Sequence, residues 1–482
     1  MPSARSQKGA FLVESRSTPE LESIWELDRG TEAVAPGLLL ASAPSGRYST
    51  DRVEITKNAL DLGRGTHAQW RVDDRFMSKR HARFWRDGHD ILVRDLDSAN
   101  GVFVNGQRLH DEPRRLHPQH VVRCGRCLLV VTGDVMPHLM LGSLPPAHGM
   151  VGQFYSPLIL SALSKAALTG RHLLLSGESG AGKELAAGAL NAILQNEGRA
   201  NGKLVAYNCA RITGRDEATT TIFGVASGTF TGIGPRAGLL ERAADGVLLL
   251  DEVHVLPLQV QRSLLRFAED GIFSRIGETQ SRHIELTMIC CTNLNLHKPE
   301  SRSRMAHDLA SRLHHVEIPP LDQRRADVAE IFAHHLENAA TQVGLATDAL
   351  KSFLTASHLE AISLLCFTER NVRELIHLAE AVAAQVRLTD GNPAEILSRI
   401  LAERYPDNPV VRRSHGQLGK AMNHPVVPRR GVSHYEQHRT LIVELFKQNG
   451  GNLSATVRAL KSKGIKTSRR WLNLYLQKWG QR

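Results

Sequence analysis

The stretch His172-Leu173-Leu174-Leu175-Ser176-Gly177-Glu178-Ser179-Gly180-Ala181-Gly182-Lys183-Glu184 constrains this chain more than any other. An apolar run stops at a glycine, four residues separate it from Gly182-Lys183, and a helical pattern follows. This strand-loop-helix context defines a P-loop. Its glycines let backbone N–H groups approach phosphates, and the helix N-terminus behind them favours negative charge. Lys183 is placed to reach the β and γ phosphates. A hydroxyl residue that could hold magnesium usually follows the lysine. Glu184 stands there instead.

A second segment completes the site. Val247-Leu248-Leu249-Leu250 reads as a buried strand that delivers Asp251 and Glu252 at its carboxyl end, where α/β sheets bind ligands. Asp251 is expected to hold magnesium, and Glu252 to polarise an attacking water as general base. Between about Val151 and Pro320, short buried-type strands alternate with helical patterns, as in a parallel sheet. Together these features predict an ATPase that uses ATP and Mg2+.

The rest of the 482 residues divides by pattern. Residues 1–35 lack an apolar core and do not form a secretory signal. Residues 36–134 alternate short apolar stretches with turn residues, which predicts an all-β sandwich. The α/β core is placed at 149–321 and a helical lid at 322–405. A proline-bearing linker is placed at 406–432, and a small all-α module at 433–482. No apolar run approaches the roughly 20 residues of a membrane span, so a cytoplasmic location away from membranes is expected. Six cysteines do not make a disulfide framework, and the single Cys124-x-x-Cys127 pair reads as a strand turn.

Formal charge is +11, and the segment from His434 to Arg482 holds ten Lys or Arg against two Glu. A basic terminal module suggests a polyanion partner, most simply double-stranded DNA. Leu441, Ile442, Leu445 and Phe446 mark one helix there, and Leu453, Val457 and Leu460 a second. Trp471, Leu472, Tyr475 and Trp479 mark a third. With a glycine turn before the last, this reads as a helix-turn-helix. Ser468, Arg469, Arg470 and Asn473 are the candidates for base contacts.

Between the two halves of the nucleotide site lies Gly228-Thr229-Phe230-Thr231-Gly232-Ile233. It resembles the Gly-Ala-Phe-Thr-Gly-Ala loop of bacterial activators of sigma-54 RNA polymerase. The stretch from about Val151 to Leu378 resembles the AAA+ core of that family nearly end to end, and Glu after the P-loop lysine is usual in it. The resemblance implies that Gly228, Thr229, Phe230, Thr231 and Gly232 contact sigma-54. By the same match Asn208 restrains the catalytic Glu, Asn293 is the γ-phosphate sensor, and Arg373 is the lid's nucleotide sensor. It also implies a homo-oligomeric ring, a hexamer, in which Arg312 serves the neighbouring subunit's site. Two features depart from the family. Ala306 stands where a first trans-acting arginine is usual. Phe367-Thr368-Glu369 replaces Trp-Pro-Gly.

Leu62-Gly63-Arg64, Ser78-Lys79-Arg80-His81 and the run Ser98 to Gly106 resemble, in that order, the forkhead-associated (FHA) domain, which binds phosphothreonine peptides. The match implies that Arg64, Ser78 and Lys79 meet the phosphate and that Asn100 meets the peptide backbone. His81 is expected inside, bracing the Ser78 loop. Asn449 to Ser454 resembles the Fis-type module that ends sigma-54 activators. The composite expectation is an ATP-dependent activator that binds upstream DNA, remodels the sigma-54 RNA polymerase closed complex, and is regulated through its FHA domain. Two alternatives stay open: a repressor or scaffold of the same fold that no longer remodels polymerase, and a phosphopeptide-regulated ATPase acting on another complex.

Overall fold

The computed structural model describes residues 34–44, 50–142, 148–201, 203–229, 234–296, 298–345, 353–367, 370–389, 391–413, 439–449 and 452–462, with 472 and 476. They form two compact units, residues 1–413 and 414–482.

The first unit opens with an FHA β-sandwich. Its strands are β1 Gly37–Ser42, β2 Arg52–Glu54, β3 Leu60–Gly63, β4 Trp70–Arg71, β5 Ala82–Asp87 and β6 Asp90–Asp95. They continue as β7 Val102–Val104, β8 Gln107–Arg108, β9 Arg114–Leu116, β10 Val121–Cys124 and β11 Cys127–Thr132. One sheet runs β2-β1-β11-β10-β7-β8 and the other β4-β3-β5-β6-β9. Leu38, Leu40, Val122, Leu129 and Val131 point into the space between the sheets. Alternate residues Leu39, Ala41, Val121, Leu128 and Val130 point the other way, yet they too are buried, against Phe154, Tyr155, Leu158 and Ala326. Alternating side chains address opposite faces of a sheet. The unbroken apolar runs of β1 and β11 therefore follow from a sheet covered on both sides. Cys124 and Cys127 face each other across the β10–β11 turn. Both thiols are buried, and burial pushes that of Cys127 up to about 12.

A short helix, α1 Met136–Leu141, leads to α2 Tyr155–Thr169, and an α/β domain follows. Its elements in chain order are β12 Leu173–Ser176, α3 Lys183–Asn196, β13 Leu204–Asn208, α4 Arg215–Phe223, β14 Gly224–Val225, β15 Arg236–Ala237, α5 Leu239–Arg242, β16 Val247–Asp251 and α6 Leu258–Asp270. Then come β17 Ile272–Phe273, β18 Arg282–His283, β19 Thr287–Thr292, α7 His307–Arg312 and β20 His314–Glu317. The central sheet, β13-β16-β19-β12-β20, is parallel throughout. Leu173, Leu175, Val247 and Leu249 pack on one side of it. Leu174, Leu248 and Leu250 pack on the other.

The lid comprises α8 Arg325–Gln342, α9 Ala356–Ser363, α10 Val372–Thr389 and α11 Pro393–Arg404. The packed unit runs past residue 406, where a linker was expected, as far as Arg413. Asn408 accepts the N–H of Val410 at 3.0 Å and donates to the Ala361 carbonyl at 2.8 Å. Val410 and Val411 are buried in the lid core. Of the prolines that suggested a linker, Pro406 precedes and Pro409 opens a short helical turn with an apolar pair to bury.

The second unit contains α12 Arg439–Gln448 and α13 Leu453–Ser462. Ile442, Leu445, Phe446, Leu453 and Leu460 share one core with Leu472 and Leu476. Among the described residues, no helix is long and apolar enough to cross a membrane.

Candidate functional site

The phosphate loop is shaped by backbone that only glycine adopts easily. Gly177 has φ 153°, and a Cβ there would lie 2.5 Å from the Ile318 carbonyl oxygen. Gly180 has φ 75°, and a Cβ there would lie 2.2 Å from the Arg370 carbonyl oxygen. Lys183 Nζ curls back to donate to the carbonyls of Gly177 at 2.7 Å and Glu178 at 3.0 Å. Burial lowers the pKa of this amine. Lys183 opens onto a cavity of about 410 Å³ shared with Ser179, Gly180, Ala181, Gly182, Glu184, Asn208, Asp251, Glu252, Asn293 and Arg373.

Sheet register gathers the acidic residues at this edge. Asn208 ends β13 opposite Asp251 at the end of β16. Asn208 Nδ2 donates to Asp251 Oδ2 at 3.1 Å. In this structure the Asn208 amide therefore engages Asp251, the residue before the expected catalytic Glu252. Its own Oδ1 accepts the N–H of Ala210 at 2.8 Å, which fixes the amide's orientation. Glu252 adopts φ 53°, and its N–H donates to Asp251 Oδ1 at 2.9 Å. A left-handed non-glycine residue at a strand end marks a constrained site. Here the turn sends the adjacent carboxylates of Asp251 and Glu252 into one cavity. Asn293 follows β19 and lines the same cavity.

The lid closes the other side. Arg373 Nη1 reaches Ser179 Oγ at 3.4 Å. Two residues that the sequence reading had not singled out do more of the joining. Asn371, buried with φ 48°, donates from Nδ2 to Glu178 Oε2 at 2.9 Å and to the Ser179 carbonyl at 3.2 Å. Its Oδ1 accepts the N–H of Leu321 at 2.8 Å. Arg324, also buried, donates from Nη2 to the Ala181 carbonyl at 2.5 Å. Asn371 stands two residues before the expected sensor Arg373, so a signal existed; Arg324 has none beyond its place after Pro319-Pro320. An apolar set of Met150, Val151, Ile331, Val372 and Ile376, with His334 and His335, also lines the cavity. It suits a flat aromatic base.

Arg312, at the end of α7, is exposed and paired with Glu269 at 2.9 Å. Ala306 precedes the same helix, and its N–H donates to Gln261 Oε1 at 2.8 Å. Gln261 in turn donates to the carbonyls of Leu256 and Arg304. Phe367 is fully buried in the lid, with the Arg325 guanidinium 5.7 Å from its ring centre. Thr368 and Glu369 lie outside the described residues.

The glycine-flanked segment lies in the chain between β14 and β15. Gly228 has φ 76°. The Thr229 hydroxyl shares its hydrogen between the carbonyls of Ala226 at 2.9 Å and Ile276 at 3.0 Å. Thr229, where the family's loop has Ala, therefore supplies an anchor that Ala could not. Phe230, Thr231, Gly232 and Ile233 lie outside the described residues.

On the FHA sandwich, Arg64, Lys79 and Asn100 are exposed and Ser78 is half-buried. The Arg64 N–H donates to the Ser78 carbonyl at 3.0 Å, bringing the two loops together. Ser78 Oγ accepts the N–H of Ala99 at 3.1 Å, and Asn100 Nδ2 donates to the Phe76 carbonyl at 2.6 Å. His81 is buried beneath them. Its Nδ1 accepts the Ser78 N–H at 3.0 Å, and its Nε2 lies 3.2 Å from the Gly101 carbonyl. Burial lowers its pKa, and a neutral ring with Nε2–H suits both bonds. Ser468, Arg469, Arg470 and Asn473 lie outside the described residues.

Fold and site together define a P-loop α/β module with a helical lid, joined to an FHA sandwich. Comparison with known proteins agrees. The sigma-54 interaction domain model matches residues 156–319, and the FHA domain model matches residues 60–125. The chain carries a sigma-54 interaction domain and an FHA domain. It is 33% identical over 326 residues to regulatory protein AtoC of Escherichia coli (strain K12), covering 66% of this chain and 64% of AtoC. It is 34% identical over 258 residues to the DNA-binding transcriptional regulator NtrC of Klebsiella pneumoniae, covering 52% of each. The chain thus spans about half to two thirds of the length of these relatives. Among solved structures, NtrX from Brucella abortus in complex with ADP is 26% identical, with 69% of this chain and 70% of that chain covered and a TM-score of 0.44.

Proposed function

We propose that this protein is an ATP-dependent transcriptional activator that acts on sigma-54 RNA polymerase, docks on upstream DNA through its basic end, and responds to phosphothreonine through its FHA face. The observation that carries the proposal is one juxtaposition. Lys183, Asp251 and Glu252 share a cavity, and the Gly228–Ile233 segment is inserted in the chain between them, within a sigma-54 interaction domain.

The chemistry follows from the groups present. The P-loop N–H groups and Lys183 cradle the phosphates of ATP. On binding, Lys183 exchanges its two carbonyl partners for phosphate oxygens, a stronger charge-assisted contact. The hard oxygens of Asp251, oriented by Asn208, suit Mg2+. When bound, that ion would neutralise charge on the triphosphate. Glu252 positions and deprotonates the attacking water. Asn293 and Arg373 face the phosphates from core and lid, so turnover changes both sides of the cavity. In a hexameric ring, the exposed Arg312 would reach a neighbour's site after releasing Glu269.

Thr229 ties the base of the loop to Ile276, so movement of the core reaches the loop directly. The family resemblance assigns its tip to sigma-54. On the FHA face, Arg64, Ser78 and Lys79 offer charge and a hydroxyl to phosphate, and Asn100 offers an amide to the peptide. NtrC is a DNA-binding transcriptional regulator by name and AtoC a regulatory protein, which supports the same output here.

The test is transcription in vitro from a sigma-54 promoter with the full-length protein, its DNA site, ATP and magnesium. ATP-dependent open complexes that vanish with Lys183→Ala are expected. Output no greater than that of Lys183→Ala would overturn the proposal. A second reading, a DNA-bound repressor or scaffold, is favoured by one observation: a methyl group stands at Ala306 where a trans-acting arginine is usual. Repression by both wild-type protein and Lys183→Ala would select it.

A further inference from the structure

The lid carries a carboxylate whose partners come from three places. Glu360 on α9 is fully buried. Its Oε2 accepts from Arg123 Nε of the FHA sandwich at 2.7 Å, and from Arg413 Nη2, beyond the lid's last helix, at 3.5 Å. Its Oε1 accepts the N–H of Gly106, in the FHA β7–β8 turn, at 3.1 Å. Arg413 Nη1 also donates to the Gly106 carbonyl at 2.9 Å. The two guanidinium groups lie 3.9 and 4.4 Å from the ring centre of Phe103. Gly106, with φ 78°, leaves only 3.1 Å between a built Cβ and the side chains of Pro409 and Val410, so the Gly106 backbone lies close against them.

A second tie lies nearby. Gln119 of the FHA sandwich donates from Nε2 to the Tyr155 hydroxyl of α2 at 3.1 Å. Its Oε1 accepts the Arg325 N–H at the start of α8 at 3.0 Å. One FHA side chain therefore touches core and lid at once. Around it, Leu39, Leu128 and Val130 pack on core residues Tyr155 and Leu158 and on lid residue Ala326. The helix α8 that receives these contacts also presents Ile331, His334 and His335 to the nucleotide cavity.

The cavity lies between core and lid, so any change in their angle changes it. A body fastened to both sides of a hinge holds one angle. We infer that the FHA sandwich is an internal brace that restrains the lid of the nucleotide site, with Glu360 as its latch. The strand β7 joins this latch to the phosphopeptide face: Asn100 and Gly101 stand at its start, and Asn105 and Gly106 at its end. Control by the FHA domain is therefore negative. The braced chain turns over slowly, and release of Glu360 frees the lid. A buried charge pair suits this role, because it is secure while intact and strongly unfavourable when one partner is lost.

The inference rests on the ATPase reading above, and its test separates the two. The full-length protein is compared with Glu360→Gln, which keeps the side-chain shape and an acceptor for Gly106 but removes the charge. Three quantities are measured: amide exchange, ATP turnover, and release of a fluorescent ATP analogue. The expected result is about tenfold faster exchange at 102–108 and 356–363, unchanged exchange in the central sheet, and turnover raised at least about fivefold. Unchanged exchange in those segments, or faster exchange with equal or lower turnover, overturns the brace. If neither wild-type protein nor Glu360→Gln hydrolyses more ATP than Lys183→Ala, the ATPase reading fails by itself. Analogue release then decides the brace: faster release from Glu360→Gln supports it, and equal release overturns it. Should Glu360→Gln fail to fold by thermal melting, Arg413→Gln takes its place in the same measurements.

Discussion

Asn371 of the lid donates to Glu178 of the phosphate loop at 2.9 Å, across 193 residues of chain. The same amide reaches the Ser179 carbonyl and the Leu321 N–H, so one side chain fastens the lid to the loop it covers. Replacing it leaves polar groups unpartnered and removes a residue suited to positive φ. Asn371→Ala is expected to weaken ATP binding about tenfold, or roughly 1.4 kcal/mol. Titration with a fluorescent ATP analogue checks this; equal affinity would show that Arg373 and Arg324 hold the lid unaided.

The two carboxylates at the end of β16 should separate binding from chemistry. Glu252→Gln is expected to bind ATP normally and turn over about a hundredfold more slowly, the lower end of a general-base effect. Asn208→Ala should leave the fold intact but lower turnover and raise the magnesium requirement, because Asp251 loses its orienting amide. If Asn208→Ala left the magnesium dependence unchanged, the contact with Asp251 would be structural only.

At the FHA face, Arg64→Ala is expected to lower affinity for a phosphothreonine peptide library at least tenfold. A lost charge-assisted bond is typically worth about 1.5–3 kcal/mol. Calorimetry with phosphorylated and unphosphorylated pools provides the check. Binding of both pools alike would point to a surface that does not read phosphate.

Thr229 anchors the base of the glycine-flanked loop through one hydroxyl. Thr229→Ala should therefore reduce promoter opening several-fold while leaving ATP turnover near wild type, and Thr229→Ser should restore opening. Equal loss in both variants would assign the effect to the methyl group.

His172 supplies a pH signature. It is half-buried and stacked near Phe267, and its Nδ1 accepts the Met288 N–H at 3.0 Å. Burial pulls its pKa down to about 4 from an ordinary 6.5. Between those values the unfolded chain binds the proton and the folded chain does not, so stability falls as pH drops through that window. The loss approaches about 3 kcal/mol by pH 4. His172→Asn can accept the same N–H without titrating. The melting-temperature advantage of wild type over this variant is therefore expected to narrow from pH 7.5 to pH 5. A constant gap would show that the ring binds its proton equally in the folded and unfolded chain.

Much of the site was legible because its chemistry is local. Gly177 to Lys183 form a contiguous turn, and Asp251-Glu252 follow their own strand, so spacing alone placed both at strand ends. Asn208 was legible as a motif residue, but its partner was not. Register sets it opposite Asp251, and only the paired strands reveal that the amide meets this carboxylate. Arg324 was illegible for a similar reason: an arginine in a Pro-rich turn shows no sign that it will be buried against Ala181.

The run Leu38-Leu39-Leu40 and the run Cys127 to Val131 held a signal of another kind. A half-exposed antiparallel strand alternates, and these do not. The chain thus recorded that a second surface would cover the sandwich, without naming that surface. Likewise Glu360 reads as an ordinary helix acid, and Pro406 and Pro409 as a linker.

The sequence by itself determined a phosphate-binding α/β core, a helical lid, an FHA sandwich and a basic helical end, because turns, glycines and apolar periods act over a few residues. Tertiary structure alone decided that the sandwich is built onto the nucleotide module, and that Arg123, Gly106 and Arg413 converge on Glu360. Those contacts span up to 254 residues, and a buried charge is tolerated only where partners arrive from elsewhere in the fold.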